Sequence, residues 1–452
     1  VIRAFLQWFH PAPHQEILPE VCQKRLYPFF RWRILQSTFL GYATFYLVRN
    51  NLSVIANELD KSFQITNSMY GNIVAATAIS YGLGKFLLGS LADRSNPKKF
   101  MPFGLLLTAG LNFLFAGIGY WGQLFSVSST FIYYGFILIW AMNGFVQGMG
   151  WPPCGRSIGH WYSIRERGSI FAIWNIAHNI GGGLAGVIAG WATLHYGSWH
   201  FAFIVPGVIA SLGAVYLFFT LSDTPQSEGL PRIEEFKNDY PENREVNHEK
   251  ELTTKELFID YIFMNRLLWL FAFANFFVYI VRYSMLDFGP KYLSAVKGGS
   301  LADGGLAVLV LEFGGIPSTI FFGWVSDRLG GRRGLVSFLC MIPILLAFIG
   351  LWLNPIGNIW LDFTMLAIIG FFVYPPVMLL GVSALDMTSK KAVGVSAGFV
   401  GLFGYLGRAA QGKGLGYLAD TAGWDWVIIS IIIATAISIA LLTFTIKIRP
   451  RS

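Results

Sequence analysis

The stretch GSLADRSNPKK, residues 89–99, decides the fold, because GWVSDRLGGRR at 323–333 repeats its pattern. Each reads as glycine, three residues, Asp-Arg, three residues and a base, set between two long apolar runs. The glycine lets neighbouring helices approach closely, while the acid and bases can form a charge network in the loop. YLVR at 46–49 likewise returns as YIVR at 279–282, and Pro152–Pro153 returns as Pro375–Pro376. Three marks repeated in the same order describe a duplicated unit.

Outward from these marks the chain is apolar. Of its 452 residues 54% are hydrophobic and only 13% charged, whereas a soluble domain carries about 25% charged residues. A spanning helix needs about 20 mainly apolar residues, and about twelve such runs follow one another from 34–57 to 424–447. Six helices followed by six more in the same orientation predict an all-α membrane protein of parallel-repeat transporter type. The expected divisions are an N-terminal segment 1–33, a six-helix bundle 34–221, a linker 222–265, a second bundle 266–447 and a tail 448–452. Proline and mixed charge mark the linker, with a short surface helix expected near 254–264.

The net charge of +8 does not point to nucleic acid, because its placement follows topology. Basic residues gather in 93–100, 156–168, 327–334 and 388–391, while the alternate loops hold only Lys61, Lys291 and Lys297. By the positive-inside rule both termini and the linker face the cytoplasm. The first residues lack the long apolar core of a cleavable signal. Cys22, Cys154 and Cys340 have no disulfide or metal-ligand spacing, so neither a metal nor a cofactor is expected. With no phosphate-binding loop and no paired nucleophile and base, an enzyme is not expected either.

Five ionisable residues fall inside the apolar runs: Arg49, Lys85, Arg282, Asp287 and Glu312. Each costs about 2.5–3.5 kcal/mol at a helix centre on insertion scales, so such groups face a cavity or one another. Internal ion pairs, Arg49 or Lys85 with Asp287 or Glu312, are the structural alternative to a binding role. The two arginines sit at matching places in the first helix of each repeat, roughly 22–24 Å from the cytoplasmic end at about 1.5 Å per residue. Across a pseudo-two-fold axis they meet at one depth, and two guanidiniums at one depth need an anion between them. A planar fork suits phosphate or a dicarboxylate. Tyr42, Tyr46, Tyr279, Tyr374, Tyr405, Asn175 and His178 supply hydroxyl, amide and imidazole groups for the rest of a ligand, though each tyrosine serves equally as packing. In QGMGWPPCG (147–155) glycine and proline allow bending, and Trp151 is a candidate for the cavity wall.

The doubled loop pattern resembles the signature of the major facilitator superfamily, whose fold is twelve transmembrane helices in two pseudo-symmetric six-helix bundles. GYATFYLVRNN, YGLGKFLLGSLADRSNPKKF, ERGSIFAIWNIAHNIGGG, FVYIVRYSMLD and GFVGLFGYLG together resemble the organophosphate:phosphate antiporters, including bacterial hexose-phosphate and glycerol-3-phosphate carriers. The resemblance implies exchange of a phosphorylated metabolite for inorganic phosphate in a bacterial inner membrane, with the monomer as the working unit. It assigns phosphate binding to Arg49 and Arg282, and places Lys85 and His178 in the cavity. It links Asp287 and Glu312 to gating, as the loop pattern does Asp93, Arg94, Asp327 and Arg328. NNLSVIANE (50–58) leans toward hexose 6-phosphate, glucose 6-phosphate in particular, with glycerol 3-phosphate or a sugar-phosphate receptor as alternatives. Three departures stand out. Asn50 occupies the place of a lysine, so no ion pair from there to Asp287 can form; Pro375 replaces a glycine; and Arg408 is an unexpected charge in the eleventh helix.

Overall fold

The computed structural model describes residues 7–92, 94–239, 263–387 and 393–448. Among them are twelve long helices. The first six are α1 (Glu20–Leu47), α2 (Asn67–Ala92), α3 (Pro97–Leu124), α4 (Ser129–Trp161), α5 (Ile164–Tyr196) and α6 (Phe201–Thr220). The second six are α7 (Arg266–Val296), α8 (Leu301–Arg328), α9 (Arg333–Leu353), α10 (Ile359–Asp386), α11 (Val393–Thr421) and α12 (Trp424–Thr443). Eight of these are long and apolar enough to cross a membrane by length and composition. The other four, α1, α2, α5 and α11, carry Tyr42, Tyr46, Lys85, His178, Tyr405 and Arg408 among the polar residues discussed below. A helix facing a polar cavity loses hydropathy on that side.

Two boundaries differ from expectation. The first helix begins at Glu20 rather than 34, because Arg25, Arg31 and Arg33 dilute the apolar signal of a continuous helix. It also stops at Leu47, short of the arginine that follows. Val48, Arg49 and Asn50 form a turn leading into a 3-10 helix Asn51–Ile55 and a short helix Ala56–Phe63. Backbone freed inside an apolar slab must find partners nearby. Here the Val48 carbonyl accepts from Asn112 Nδ2 at 3.0 Å and Asn143 Nδ2 at 3.1 Å, and the Phe45 carbonyl accepts from Gln147 Nε2 at 2.9 Å. Asn51 in turn donates to Asn112 and to the Ala202 carbonyl. A buried amide cluster on α3 and α4 therefore fixes the turn that presents Arg49.

The two halves meet mainly along α2 with α11 and α5 with α8. At the first seam a Cβ on Gly71 would lie 2.0 Å from the Gly412 carbonyl oxygen. At the second, one on Gly186 would lie 2.8 Å from the Gly305 carbonyl oxygen. The backbones are in direct contact, which only glycine allows. Among the described residues, the hydrogen bonds, ion pairs and ring contacts between halves lie at the level of Lys85 and Tyr405 or farther from the basic loops. These include Tyr70 Oη to the Asp287 carbonyl at 2.8 Å and Lys291 to Asp60 at 3.6 Å. The contacts thus close the molecule at the end opposite the basic loops.

At the basic-loop end, residues 7–19 run as a strap across the first bundle. Gln15 N donates to the Gln226 carbonyl, Leu18 N to the Gly229 carbonyl, and Phe9 packs with Phe100, Ala92 and Met149. The strap also meets Asp223, whose carboxylate accepts from Ala12 N at 2.8 Å and pairs with Arg156 at 2.9 Å. Of the three cysteines Cys22 is exposed, while Cys154 and Cys340 are buried. The surface helix expected near 254–264 and the basic residues 388–391 lie almost wholly outside the described residues.

Candidate functional site

Arg49 and Arg282 are both buried, each 6% exposed, and among the described residues neither makes an ion pair. Among the described residues, the alternative pairing of Arg49 or Lys85 with Asp287 or Glu312 does not occur. Each guanidinium lies over two tyrosine rings instead. Arg49 sits 4.9 Å from the Tyr46 ring centre and 4.3 Å from that of Tyr81. Arg282 sits 4.9 Å from Tyr283 and 4.6 Å from Tyr374. Ring faces attract a cation without neutralising its formal charge, so both arginines keep a full positive charge to offer a ligand.

The rings continue from one arginine to the other by two routes. On one side Tyr46 meets His178 at 5.7 Å, and His178 meets Tyr374 at 5.7 Å. On the other, Tyr81 meets Tyr405 at 5.0 Å, Tyr405 meets Tyr279 at 5.7 Å, and Tyr279 meets Tyr283 at 5.6 Å. The result is a closed collar drawn from α1, α2, α5, α7, α10 and α11. Both halves contribute to it, and both arginines are set in it.

Toward the basic loops lie Lys85 and Trp151. Lys85 Nζ is 5.5 Å from the Trp151 ring and 6.0 Å from that of Tyr405. Both side chains are exposed where the halves diverge. Tyr42 stacks on Trp174 at 4.7 Å and touches Tyr46 edge-on, so it backs the collar. Nδ1 of His178 bonds the Asn175 carbonyl, a partner that can only accept. Nδ1 therefore carries the proton, and Nε2 is left as the variable nitrogen. Arg49, Arg282, Lys85, His178, Tyr46, Tyr279, Tyr374 and Tyr405 are thus brought together. Asn175 joins them through its backbone, Tyr42 and Trp151 at the rim.

Glu312 is fully buried beside this collar. Its Oε2 accepts from the Tyr374 hydroxyl and from Asn179 Nδ2 at 3.2 Å, and Asn179 also donates to the Glu312 carbonyl at 2.9 Å. Since Asn179 belongs to α5 and Glu312 to α8, this cluster crosses between the halves. Asp287 is held instead by Arg408, through Nε at 3.1 Å and Nη2 at 2.8 Å. The unexpected Arg408 of the eleventh helix, paired in this way, adds no net positive charge there.

The loop residues lie elsewhere. Arg94 is exposed, Asp327 approaches Arg333 at 3.8 Å, and Arg328 lies over the Trp324 ring at 4.2 Å. Asp93 lies outside the described residues. Sequence reasoning passed over Tyr81, Tyr283, Trp174 and Asn179. Tyr81 stands one helical turn before Lys85, and Tyr283 directly follows Arg282, so their spacing carried a usable signal.

At the closed end the Asp420 carboxylate caps α2 from the other half. It accepts from Asn67 N at 3.0 Å, Asn67 Nδ2 at 2.7 Å and Ser68 N at 2.6 Å. A carboxylate at a helix N-terminus contributes about 1–2 kcal/mol through its hydrogen bonds and the helix dipole. Asp420→Ala should therefore loosen this end, raising maleimide labelling of a Val74→Cys reporter in a Cys22→Ser background about 5- to 30-fold. Unchanged labelling would show that the cap does not hold the seam.

The description Major Facilitator Superfamily matches residues 38–412. The chain is 41% identical to the glycerol-3-phosphate transporter of Bacillus subtilis (strain 168), covering 97% of this chain and 98% of that one. It is 37% identical to a probable hexose phosphate transport protein of Chlamydia trachomatis serovar D, covering 96% and 95% respectively. A solved bacterial homologue of the human lysosomal transporter Spinster, inward-facing and unoccupied, superposes with a TM-score of 0.69 over 92% of this chain and 97% of its own. At 16% identity that likeness shows the fold alone.

Proposed function

We propose, from the premise that this chain belongs to the major facilitator superfamily and within it to the organophosphate:phosphate antiporters, that it exchanges inorganic phosphate for a phosphorylated polyol by alternating access. It is a transporter and not an enzyme. The observation that carries the reading is the pair of buried guanidiniums without a carboxylate partner, set from opposite halves into one collar. A dianion between them satisfies both, and its own hydration is replaced by forked charge-assisted hydrogen bonds. The tyrosine hydroxyls, Lys85 and His178 Nε2 remain for the third phosphate oxygen and the polyol.

Charge then couples binding to motion. With the cavity empty, two like charges in a poorly hydrated site oppose approach of the halves; with phosphate bound they no longer do. The empty carrier therefore returns slowly and exchange outpaces one-way flux. Because the cross-half contacts lie toward the opposite end, the basic-loop side is the entrance in this reading, and by the positive-inside rule that side faces the cytoplasm.

For the ester, glycerol 3-phosphate stands ahead of the glucose 6-phosphate expected from residues 50–58, because the glycerol-phosphate relative is the more identical over the whole chain. Counterflow of labelled phosphate in vesicles of the purified protein tests both levels. Uptake driven by internal glycerol 3-phosphate is expected, with weaker response to glucose 6-phosphate. The reverse ranking would restore the hexose reading, and no uptake with any organic phosphate would refute exchange. A receptor acting without transport would bind these esters yet show no counterflow.

A further inference from the structure

The collar leaves one buried charge unexplained. Arg408 on α11 makes a two-point fork to Asp287 on α7, both side chains 6–7% exposed, and its third nitrogen, Nη1, has no partner. The guanidinium also lies 4.1 Å from the Tyr283 ring, the same ring that faces Arg282. Arg49, Asn50, Ser53, Thr77, Asp287 and Arg408 wall a common void of about 10 Å³. Such a space scarcely admits one water molecule, so it holds no ligand and gives little screening.

Asp287 is thus a carboxylate facing the same narrow void as Arg49, where the neighbouring Asn50 is neutral and its amide nitrogen is unsatisfied. A carboxylate in that place competes with phosphate for the arginine. Among the described residues it is the fork from Arg408 that prevents this, by occupying both carboxylate oxygens. We infer that Arg408 is a positioning residue that withholds Asp287 from Arg49, so that Arg49 stays available to the anion being carried.

Both members of the pair belong to the second half. A Cβ on Gly407 would lie 2.2 Å from the Phe276 carbonyl oxygen, so α11 and α7 are locked backbone to backbone at the residue next to Arg408. The pair therefore moves as one body with its half and stays closed through the cycle. The cross-half contacts that must break are those at Glu312 and Asp420, with Tyr70 to the Asp287 backbone carbonyl and Lys291 to Asp60. This separates the side chain of Asp287 from that of Glu312, two acidic residues that the family resemblance groups together as gating.

The inference rests on the phosphate-exchange reading and makes predictions of opposite sign. Arg408→Gln frees Asp287 and should raise the KM for phosphate at least about tenfold, with a smaller fall in maximal rate. Asp287→Asn removes the competitor and should leave KM unchanged or lower. The double variant Arg408→Gln/Asp287→Asn should return within about threefold of wild type, and Arg408→Lys should keep most of the function. A wild-type KM in Arg408→Gln overturns the inference, as does a double variant no better than that single one. Should Arg408→Gln fail to fold, the double variant decides alone. Melting like wild type and binding phosphate supports the inference; melting like wild type without binding overturns it. The wild-type control keeps the claims apart, since absence of exchange there refutes the function rather than the role of Arg408.

Discussion

Vesicles carrying Arg49→Lys together with Arg282→Lys are expected to exchange phosphate no faster than empty vesicles. Lysine keeps the charge but presents a compact ammonium on a flexible stem instead of a planar fork. Each substitution loses one or two charge-assisted hydrogen bonds, worth roughly 2–4 kcal/mol, or about 30- to 700-fold in affinity. The stacked geometry is lost as well, since each guanidinium lies against two rings. The single variants should each fall by a factor in that range, and the pair should reach background. Because the charge is kept, the folded protein should survive, which a melting curve checks. Near-normal exchange by the double variant would end the clamp hypothesis, however the singles behave.

The second large effect concerns stability. A Cβ on Gly84 would lie 2.2 Å from the Phe145 carbonyl oxygen, and one on Gly148 2.4 Å from the carbonyl carbon of Gly84. Backbone meets backbone there, so no rotamer relieves the clash and the helices themselves must part. Gly84→Val should lower the melting midpoint by about 10 °C or more, or abolish recovery of folded protein. Gly110→Ala, where nothing lies within 4 Å of the added carbon, is the matched control and should melt within about 2 °C of wild type. Equal melting of the two variants would mean that the contact between α2 and α4 is slacker than drawn.

How much of this was legible follows from the range of each signal. The doubled loop pattern and the two arginines lie close to their own helices, so repetition alone exposed them. Residues of the collar could be chosen by type, because tyrosine near an intramembrane arginine is a reasonable suspect. The partner of Asp287 could not be read in the same way. Arg408 lies far along the chain, and no helical period links two residues that meet only because α7 and α11 pack. The end of α1 at Leu47 was hidden for a related reason. Leu52, Val54 and Ile55 resume the apolar run beyond Arg49, so the segment reads as one helix, and the amides that stabilise the turn come from α3 and α4.

Asymmetry between the two arginines follows from that same turn. Arg49 stands just after a helix end, whereas Arg282 lies inside the continuous helix α7. The duplicated unit has thus kept its charge while changing the backbone that carries it. A rigid helical mount and a turn propped by side-chain amides respond differently to a passing ligand.

The cysteine distribution has a practical consequence for watching such motion. Cys22 is exposed near the start of α1, while Cys154 and Cys340 are shut inside the protein. The unmodified chain therefore already offers one thiol suited to a spin label or fluorophore on its first half. A single added cysteine at an exposed place on the second half completes a molecular ruler, and the spread of measured distances reads out the conformational ensemble with and without phosphate.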